Sequence, residues 1–201
     1  MAKPVITISR AQLPGVALDL VTLMREDGFH PDALVGIARG GLEVALALTP
    51  DEHLPVVSCS TRRASTSHKQ RLDVSRVLRR LPYSVTNTVR RVEDAVAARH
   101  PSLAQVVGGD QLESEVAGIA EDAARQGWKQ LAVVDDAVDT GSTLAVVTDA
   151  LKRHLRAGTE VRTAVVTITR EAQALTRRPE YALHAMTLCR FPWSDDYHGA
   201  S

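Results

Sequence analysis

Apolar positions along the chain follow two rhythms. Val16, Leu20, Leu23 and Met24 recur at the three- and four-residue spacing of one helical face. Pro14 stands in the first turn, where a missing N–H costs nothing, and Gly28 ends the pattern. The apolar run 33–37 is short enough to be a strand. Gly40 and Gly41 break it, 42–48 reads as a helix closed near Pro50, and 56–60 reads as another strand. Further on, Leu112, Val116, Ile119 and Ala123 make a second helical stripe. Asp110 and Glu113 have the spacing of a capping box at its start, and Gly127 terminates it. The run 131–134 is apolar throughout, as a strand covered on both faces must be. Residues 135–143 read as a polar turn. Leu144, Val147, Leu151 and Leu155 then read as a helix closed by Gly158, and 161–168 and 181–188 as the last strands. Strands alternating with helices in this order predict an α/β fold, a mostly parallel sheet flanked by helices.

Residues 61–100 depart from this rhythm. They hold ten Lys or Arg against three Asp or Glu, with many Ser and Thr and few large apolar side chains. Arg62, Arg63, Lys69 and Arg71 surround a tract that reads as a mobile loop or a hairpin. Residues 74–81 read as a short helix stopped at Pro82, and 89–98 as a longer one with Val92 and Val96 on one face. Pro101 breaks it and Gly108-Gly109 make a turn. No repeat and no clean linker divides the 201 residues, so a single domain over 1–201 is expected.

Hydrophobic residues are 44% of the chain and aromatics 3%, so the core must be aliphatic and Ala-rich. A formal net charge of zero argues against a dedicated nucleic-acid binder and leaves a small anionic ligand open. Cys59 and Cys189 lie in apolar stretches and act as small hydrophobes, not as a disulfide framework. No Cys and His set has metal-ligand spacing. With no apolar stretch long enough to span a bilayer and no signal-peptide pattern, a cytoplasmic location and no membrane partner are expected.

The strongest chemical feature begins at Val133-Val134, where an apolar strand ends in two carboxylates, Asp135 and Asp136. After Ala137 and Val138 come Asp139, Thr140, Gly141, Ser142 and Thr143, and at once a helix. Carboxyl ends of parallel strands are ligand sites, and a helix N-terminus offers unpaired N–H groups and partial positive charge to a phosphate. Hydroxyls of Thr140, Ser142 and Thr143 add donors, and Gly141 lets the backbone come close. Asp135 and Asp136 suit sugar hydroxyls or a magnesium ion rather than the phosphate itself. A second feature is Ala38-Arg39-Gly40-Gly41 after the strand 33–37, a turn able to hold an anion with its amides and its arginine.

The block from Val133 to Leu144 resembles the motif by which type I phosphoribosyltransferases bind PRPP, the diphosphate-activated ribose phosphate. Ala38-Arg39-Gly40-Gly41 is similar to the pyrophosphate loop of the bacterial xanthine–guanine type. The resemblance implies a type I phosphoribosyltransferase fold in which Asp135 and Asp136 engage the ribose hydroxyls and Asp139 to Thr143 wrap the 5′-phosphate. It implies that Asp139 accepts the proton of the base nitrogen, that Arg39 and the glycine amides grip the diphosphate, and that the Ala38-Arg39 peptide is strained or cis. Mg2+ is the implied cofactor, reached by Asp136, with Asp135, through PRPP. A mobile loop places Lys69 or Arg71 as candidates over the leaving pyrophosphate.

At the base end the pattern departs from that family. Its usual stacking aromatic corresponds to Leu188, and its purine-reading lysine to the neighbourhood of Ile168 and Arg170; these three are the base-pocket candidates. Phe191-Pro192-Trp193 matches the family's closing Pro-Trp pair, and Trp193 is expected chiefly to pack the hood, at 169–201, against the core. Tyr197 and His198 read as surface residues. Residues 72–109 are longer than in the compact family members and read as a helical insert, basic through Arg76, Arg79, Arg80, Arg90, Arg91 and Arg99. The function implied is magnesium-dependent phosphoribosyl transfer from PRPP to a nitrogenous base, a purine or related heterocycle, in purine salvage. A homodimer or homotetramer is implied as well. The alternatives are a non-catalytic PRPP-sensing regulator and transfer to an unusual acceptor.

Overall fold

The computed structural model describes residues 2–47, 53–60, 62–63, 82–99, 106–107 and 109–199. The expected helix at 74–81, Pro101, and the loop candidates Lys69 and Arg71 lie outside them. In chain order the first half contains β1 (Val5–Thr7), α1 (Leu13–Glu26), β2 (Ala33–Ile37), α2 (Ala38–Leu46), β3 (Val56–Cys59), β4 (Arg62–Arg63) and α3 (Tyr83–Arg99). The second half contains β5 (Val106–Val107), α4 (Asp110–Gln126), β6 (Gln130–Val138), α5 (Ser142–His154), β7 (Glu160–Ile168), a 3-10 turn at Ala172–Ala174, β8 (Tyr181–Ala185) and β9 (Leu188–Arg190).

The main sheet has the order β3-β2-β6-β7-β8 and is parallel throughout. Parallel strands need crossovers, and helices on both faces supply them. Val35, Leu131, Val133 and Val165 face the stripes of α4 and α5, where Leu112, Val116, Leu144 and Leu151 are buried. Leu34, Ala132, Val134 and Val166 face α1 and α2, where Leu20, Val21, Met24 and Val44 are buried. Large aliphatic side chains removed from water contribute about 1.5–3 kcal/mol each, which is why 131–134 of β6 and 164–166 of β7 are apolar without a break. β1 and β9 form a separate two-stranded parallel sheet, the hood, and β4 pairs with β5 antiparallel.

Several elements differ from their sequence expectation. β6 does not stop at 134: it runs to Val138 because β7 offers ladder partners that far, with Asp135 opposite Val165 and Val138 opposite Ile168. α2 begins at Ala38, so Gly40 and Gly41 lie within its first turn. The expected last strand is two, since Met186 (φ +54°) turns the chain and sends Leu188–Arg190 to pair with β1. β1 itself carries too few residues to show in the pattern. No capping box forms on α4, whose N-cap is Gly109; Glu113 instead reaches Arg153 and His154 of α5.

α3 starts directly after Pro82 and buries a polar face. Thr86 is buried, Arg90 bonds Asp196 through Nε and Nη2 at 2.8 and 2.5 Å, and Lys3 bonds Asp94 at 2.5 Å. Val92, expected on the packed face, is 56% exposed. The reason lies in the hood, which presents charge: Arg190, 1% exposed, bonds Asp196, Thr7, Thr86 and Asn87. A buried guanidinium must be paired, and α3 supplies two of the partners. Tyr197 is half-buried, and His198, exposed as expected, packs on Tyr83 with ring centroids 3.9 Å apart.

Candidate active site

β2 ends at Ile37 and passes straight into α2, while β6 runs four residues beyond its last pairing with β2. The first turn of α2 therefore lies beside Asp135 and Asp136. Only glycine fits there: a Cβ on Gly41 would enter the carbonyl of Val134, and a Cβ on Gly40 would enter the carboxyl group of Asp136. Ala38 sits at φ +49°, in the left-handed region, which sets the sharp passage from strand to helix. Its strained backbone accords with the expectation for this loop; no cis peptide occurs among the described residues.

The two acids are adjacent on one strand and so project to opposite sides of it. Asp135 is buried, and its Oδ1 accepts the N–H of Asp136 at 2.9 Å. Asp136 is half-buried; its Oδ2 accepts the indole N–H of Trp193 at 2.6 Å.

Past Val138 the chain turns through Asp139, Thr140 and Gly141 into α5. Gly141 is at φ +77°, and a Cβ there would run into the backbone of Arg177, so glycine is required on both counts. The N-cap, Gly141, has no side chain to cap the helix, and the first amide, Ser142 N–H, meets the Thr140 hydroxyl oxygen at 3.4 Å. The Thr140 and Ser142 hydroxyls bond each other at 2.9 Å, and both residues, like Thr143, are partly exposed. A helix start with amides beyond Ser142 free of side-chain caps and three hydroxyl-bearing residues can hold an anion.

Asp139 faces the end of β7. Arg170 grips it from two nitrogens, Nε on Oδ1 and Nη2 on Oδ2 at 2.9 Å, and the Thr169 hydroxyl adds a bond at 3.0 Å. Burial pushes this carboxyl up, but the Arg170 bonds and charge, with Thr169, outweigh it and hold the group below its ordinary value. Thr176 N–H bonds the Thr140 carbonyl at 2.7 Å, so the stretch 169–177 lies along the turn.

The sequence matches the Phosphoribosyl transferase domain family over residues 20–193. The chain belongs to that family. Solved structures share its fold at low identity. A purine phosphoribosyltransferase from Pyrococcus horikoshii OT3 is 19% identical, with 96% of this chain and 95% of that one covered and a TM-score of 0.53. The xanthine-guanine-hypoxanthine phosphoribosyltransferase of Helicobacter pylori is 15% identical over 94% and 92%, with a TM-score of 0.57. A hypothetical protein from Neisseria gonorrhoeae, solved with bound ppGpp, is 18% identical over 96% and 91%, with a TM-score of 0.58. No curated protein matches the sequence significantly.

In this phosphoribosyltransferase-family chain the candidate residues fall into two groups. Asp135, Asp136, Asp139, Thr140, Gly141, Ser142, Thr143 and the backbone of Ala38 to Gly41 lie at one end of the sheet. The Arg39 side chain is 73% exposed and comes within 3.9 Å of Glu43 on its own helix. Arg170 is taken up by Asp139, leaving it committed before any base arrives. Leu188 is buried in β9, its N–H bonded to the Pro4 carbonyl, and Ile168 is buried at the end of β7. Trp193 does more than pack, because its N–H meets an acid of the pair. The motif alone gave no sign of that contact; an indole N–H packed against a core usually finds an acceptor, and this was the available signal.

Proposed function

We propose that this phosphoribosyltransferase-family chain transfers the 5-phosphoribosyl group of PRPP to a nitrogenous base, a purine or related heterocycle, releasing pyrophosphate. The observation that carries the reading is the hydroxyl-rich start of α5 behind its glycine N-cap, Gly141, next to the two acids of β6 and the glycine-only turn of α2. The α5 amides with Thr140, Ser142 and Thr143 hold the 5′-phosphate. Asp136 and Asp135 orient the ribose hydroxyls. The first turn of α2 receives the diphosphate, with its amides rather than the Arg39 side chain in place. The base nitrogen bonds to C1 of the ribose as the bond from C1 to the pyrophosphate oxygen breaks, and pyrophosphate leaves with the electron pair.

Asp139, which Arg170 holds ionised, is a weak proton acceptor. It serves to orient an N–H edge of the incoming base, whose own proton passes to water or to the leaving group. Asp135 and Asp136 leave the strand on opposite sides, so each alone offers a sparse carboxylate donor, and no cluster of three His, Cys, Asp or Glu residues able to hold a metal occurs among the described residues. Mg2+ fits such a donor, since it keeps several waters and leans on substrate oxygens. When bound with PRPP it would neutralise charge on the departing pyrophosphate.

The acceptor class draws support from the fold neighbours named for purines and from the ppGpp bound to the N. gonorrhoeae protein. The regulator alternative drew on arginines of the insert. Two of these are bonded within the chain: Arg90 to Asp196, and Arg91 to the Lys3 carbonyl. The test is pyrophosphate release from PRPP and Mg2+ with a panel of purines, pyrimidines and other heterocycles, with products read by mass spectrometry. Base-dependent release is expected. Folded protein that binds PRPP yet releases no pyrophosphate with any base would overturn the enzyme reading.

A further inference from the structure

Asp136 is clamped between two distant parts of the chain. On one side Gly40 of α2 touches its carboxyl closely enough to exclude a Cβ. On the other the Trp193 indole donates its N–H to Oδ2 at 2.6 Å, across 57 positions of sequence. The indole is fixed independently of the acid. It stacks on Phe191 with centroids 5.0 Å apart and 4° between planes, and Phe191 is buried in the core beside Ile8 and Cys189. The Phe191 N–H bonds the Ser194 hydroxyl at 3.0 Å, which closes the turn that carries the indole.

The choice of donor matters. An indole N–H is neutral, donates only, and cannot lose its proton at any ordinary pH. It fixes the carboxylate without cancelling its charge. Asp139 shows the opposite treatment, since a guanidinium neutralises it. Among the described residues Oδ1 of Asp136 takes no hydrogen bond, so Trp193 fixes one oxygen and leaves the other able to accept.

We infer that Trp193 is a positioning residue for the transfer reaction: its N–H sets the Asp136 carboxylate in the orientation that receives the ribose of PRPP. This rests on the PRPP reading above. It also gives the hood a role at the sugar end. Trp193 follows β9 by three residues, and β9 is tied to the end of β7 where the Thr167 hydroxyl bonds the Thr187 carbonyl at 2.7 Å. A displacement of the hood by the incoming base therefore reaches Asp136 through one side chain.

The test compares Trp193→Phe, which keeps a ring for Phe191 and deletes the donor, with Trp193→His, which restores a ring N–H. PRPP affinity is measured by calorimetry with Mg2+, and turnover by pyrophosphate release. A hydrogen bond to a charged group supports an expected loss of roughly tenfold or more in kcat/KM for PRPP in Trp193→Phe. KM for the base should change less than KM for PRPP, and Trp193→His should recover part of the loss. A second measurement uses the intact donor. Trp128, which packs against the core on the α4 side, is replaced by Phe, leaving Trp193 as the sole tryptophan. Its emission should shift as PRPP and Mg2+ saturate the protein. Parent-like PRPP affinity and turnover in Trp193→Phe, or unchanged emission of Trp193 at saturating PRPP, would overturn the inference. Failure of the parent itself to bind PRPP would instead overturn the functional reading on which it stands.

Discussion

Arg170 and Asp139 face each other as a two-point pair, guanidinium against carboxylate, where the end of β7 meets the turn into α5. The geometry is the bidentate one that only arginine offers, and it takes up the side chain that the sequence offers as a base-pocket candidate. Replacing Arg170 by Gln removes the bonds and charge that lower the Asp139 carboxyl and leaves burial, which raises it. The carboxyl signal of Asp139, followed by 13C NMR, should titrate at higher pH in Arg170→Gln than in the parent. Pyrophosphate release should fall in the same variant. Identical titration in both proteins would show that the pair does not form in solution.

Asp196 is held between two arginines, Arg190 and Arg90. Burial raises its carboxyl, and the bonds and charges of both arginines outweigh this, so it titrates below the ordinary value of 3.8. A lowered folded-state value means stabilisation that is fully present above that ordinary value and lost as pH falls through the folded one. The parent should therefore lose stability below about pH 4, in part through this group. Asp196→Asn should be less stable at pH 7 by ~3–5 kcal/mol, because Arg190 is left buried without its partner. Its stability should also fall less steeply in acid. Urea unfolding at pH 7 and pH 3.5 measures both.

Gly40→Ala places a methyl group in the carboxyl of Asp136 and should weaken PRPP binding at least tenfold, with circular dichroism unchanged. Gly118, on the exposed side of α4 with nothing within 4 Å of a Cβ, is the control. There the same change should stabilise the protein by about 0.5–1 kcal/mol through helix propensity alone. Opposite effects of one chemical change at two helical glycines would separate close approach from backbone entropy.

Thr143→Ala and Asp136→Asn separate phosphate holding from sugar orientation. The first should raise the Kd for PRPP with turnover at saturation little altered. The second should cut kcat more than it changes the unfolding midpoint. Titration calorimetry and steady-state kinetics distinguish the patterns, and parent-like values for both variants would show that the turn before α5 is not the sugar-phosphate site.

Arg90 and Asp94 tie α3 to Asp196 and Lys3, while Val85 and Val92 are exposed. Arg90→Ala should loosen it, read as faster amide hydrogen exchange across 83–95, because Arg90 also donates to the Cys189 carbonyl at 3.1 Å and so joins helix to hood. Val92→Ser, at an exposed position, should change stability by less than about 0.5 kcal/mol. The reverse ranking would mean that the apolar face is covered in solution.

The sequence by itself determined whatever repeats locally. The run 33–37 is a strand because four apolar side chains and a glycine with no polar position among them must be covered on both faces, and β2 has those bounds. The α4 stripe of Leu112, Val116, Ile119 and Ala123 is buried because the helical period puts it on one side. The acid pair and the glycine turn before α5 were legible for the same reason, as strand, turn and helix start are written in consecutive residues. Tertiary structure decided what depends on partners far along the chain. β6 carries its acids within the strand because β7 extends beside them, and the capping box of α4 stays unformed because α5 brings Arg153 and His154 to Glu113. Arg170 closes on Asp139 and Trp193 reaches Asp136 for a like reason. A charged or polar side chain takes whichever partner the packed chain presents, and residue spacing carries no record of that partner until the chain is folded.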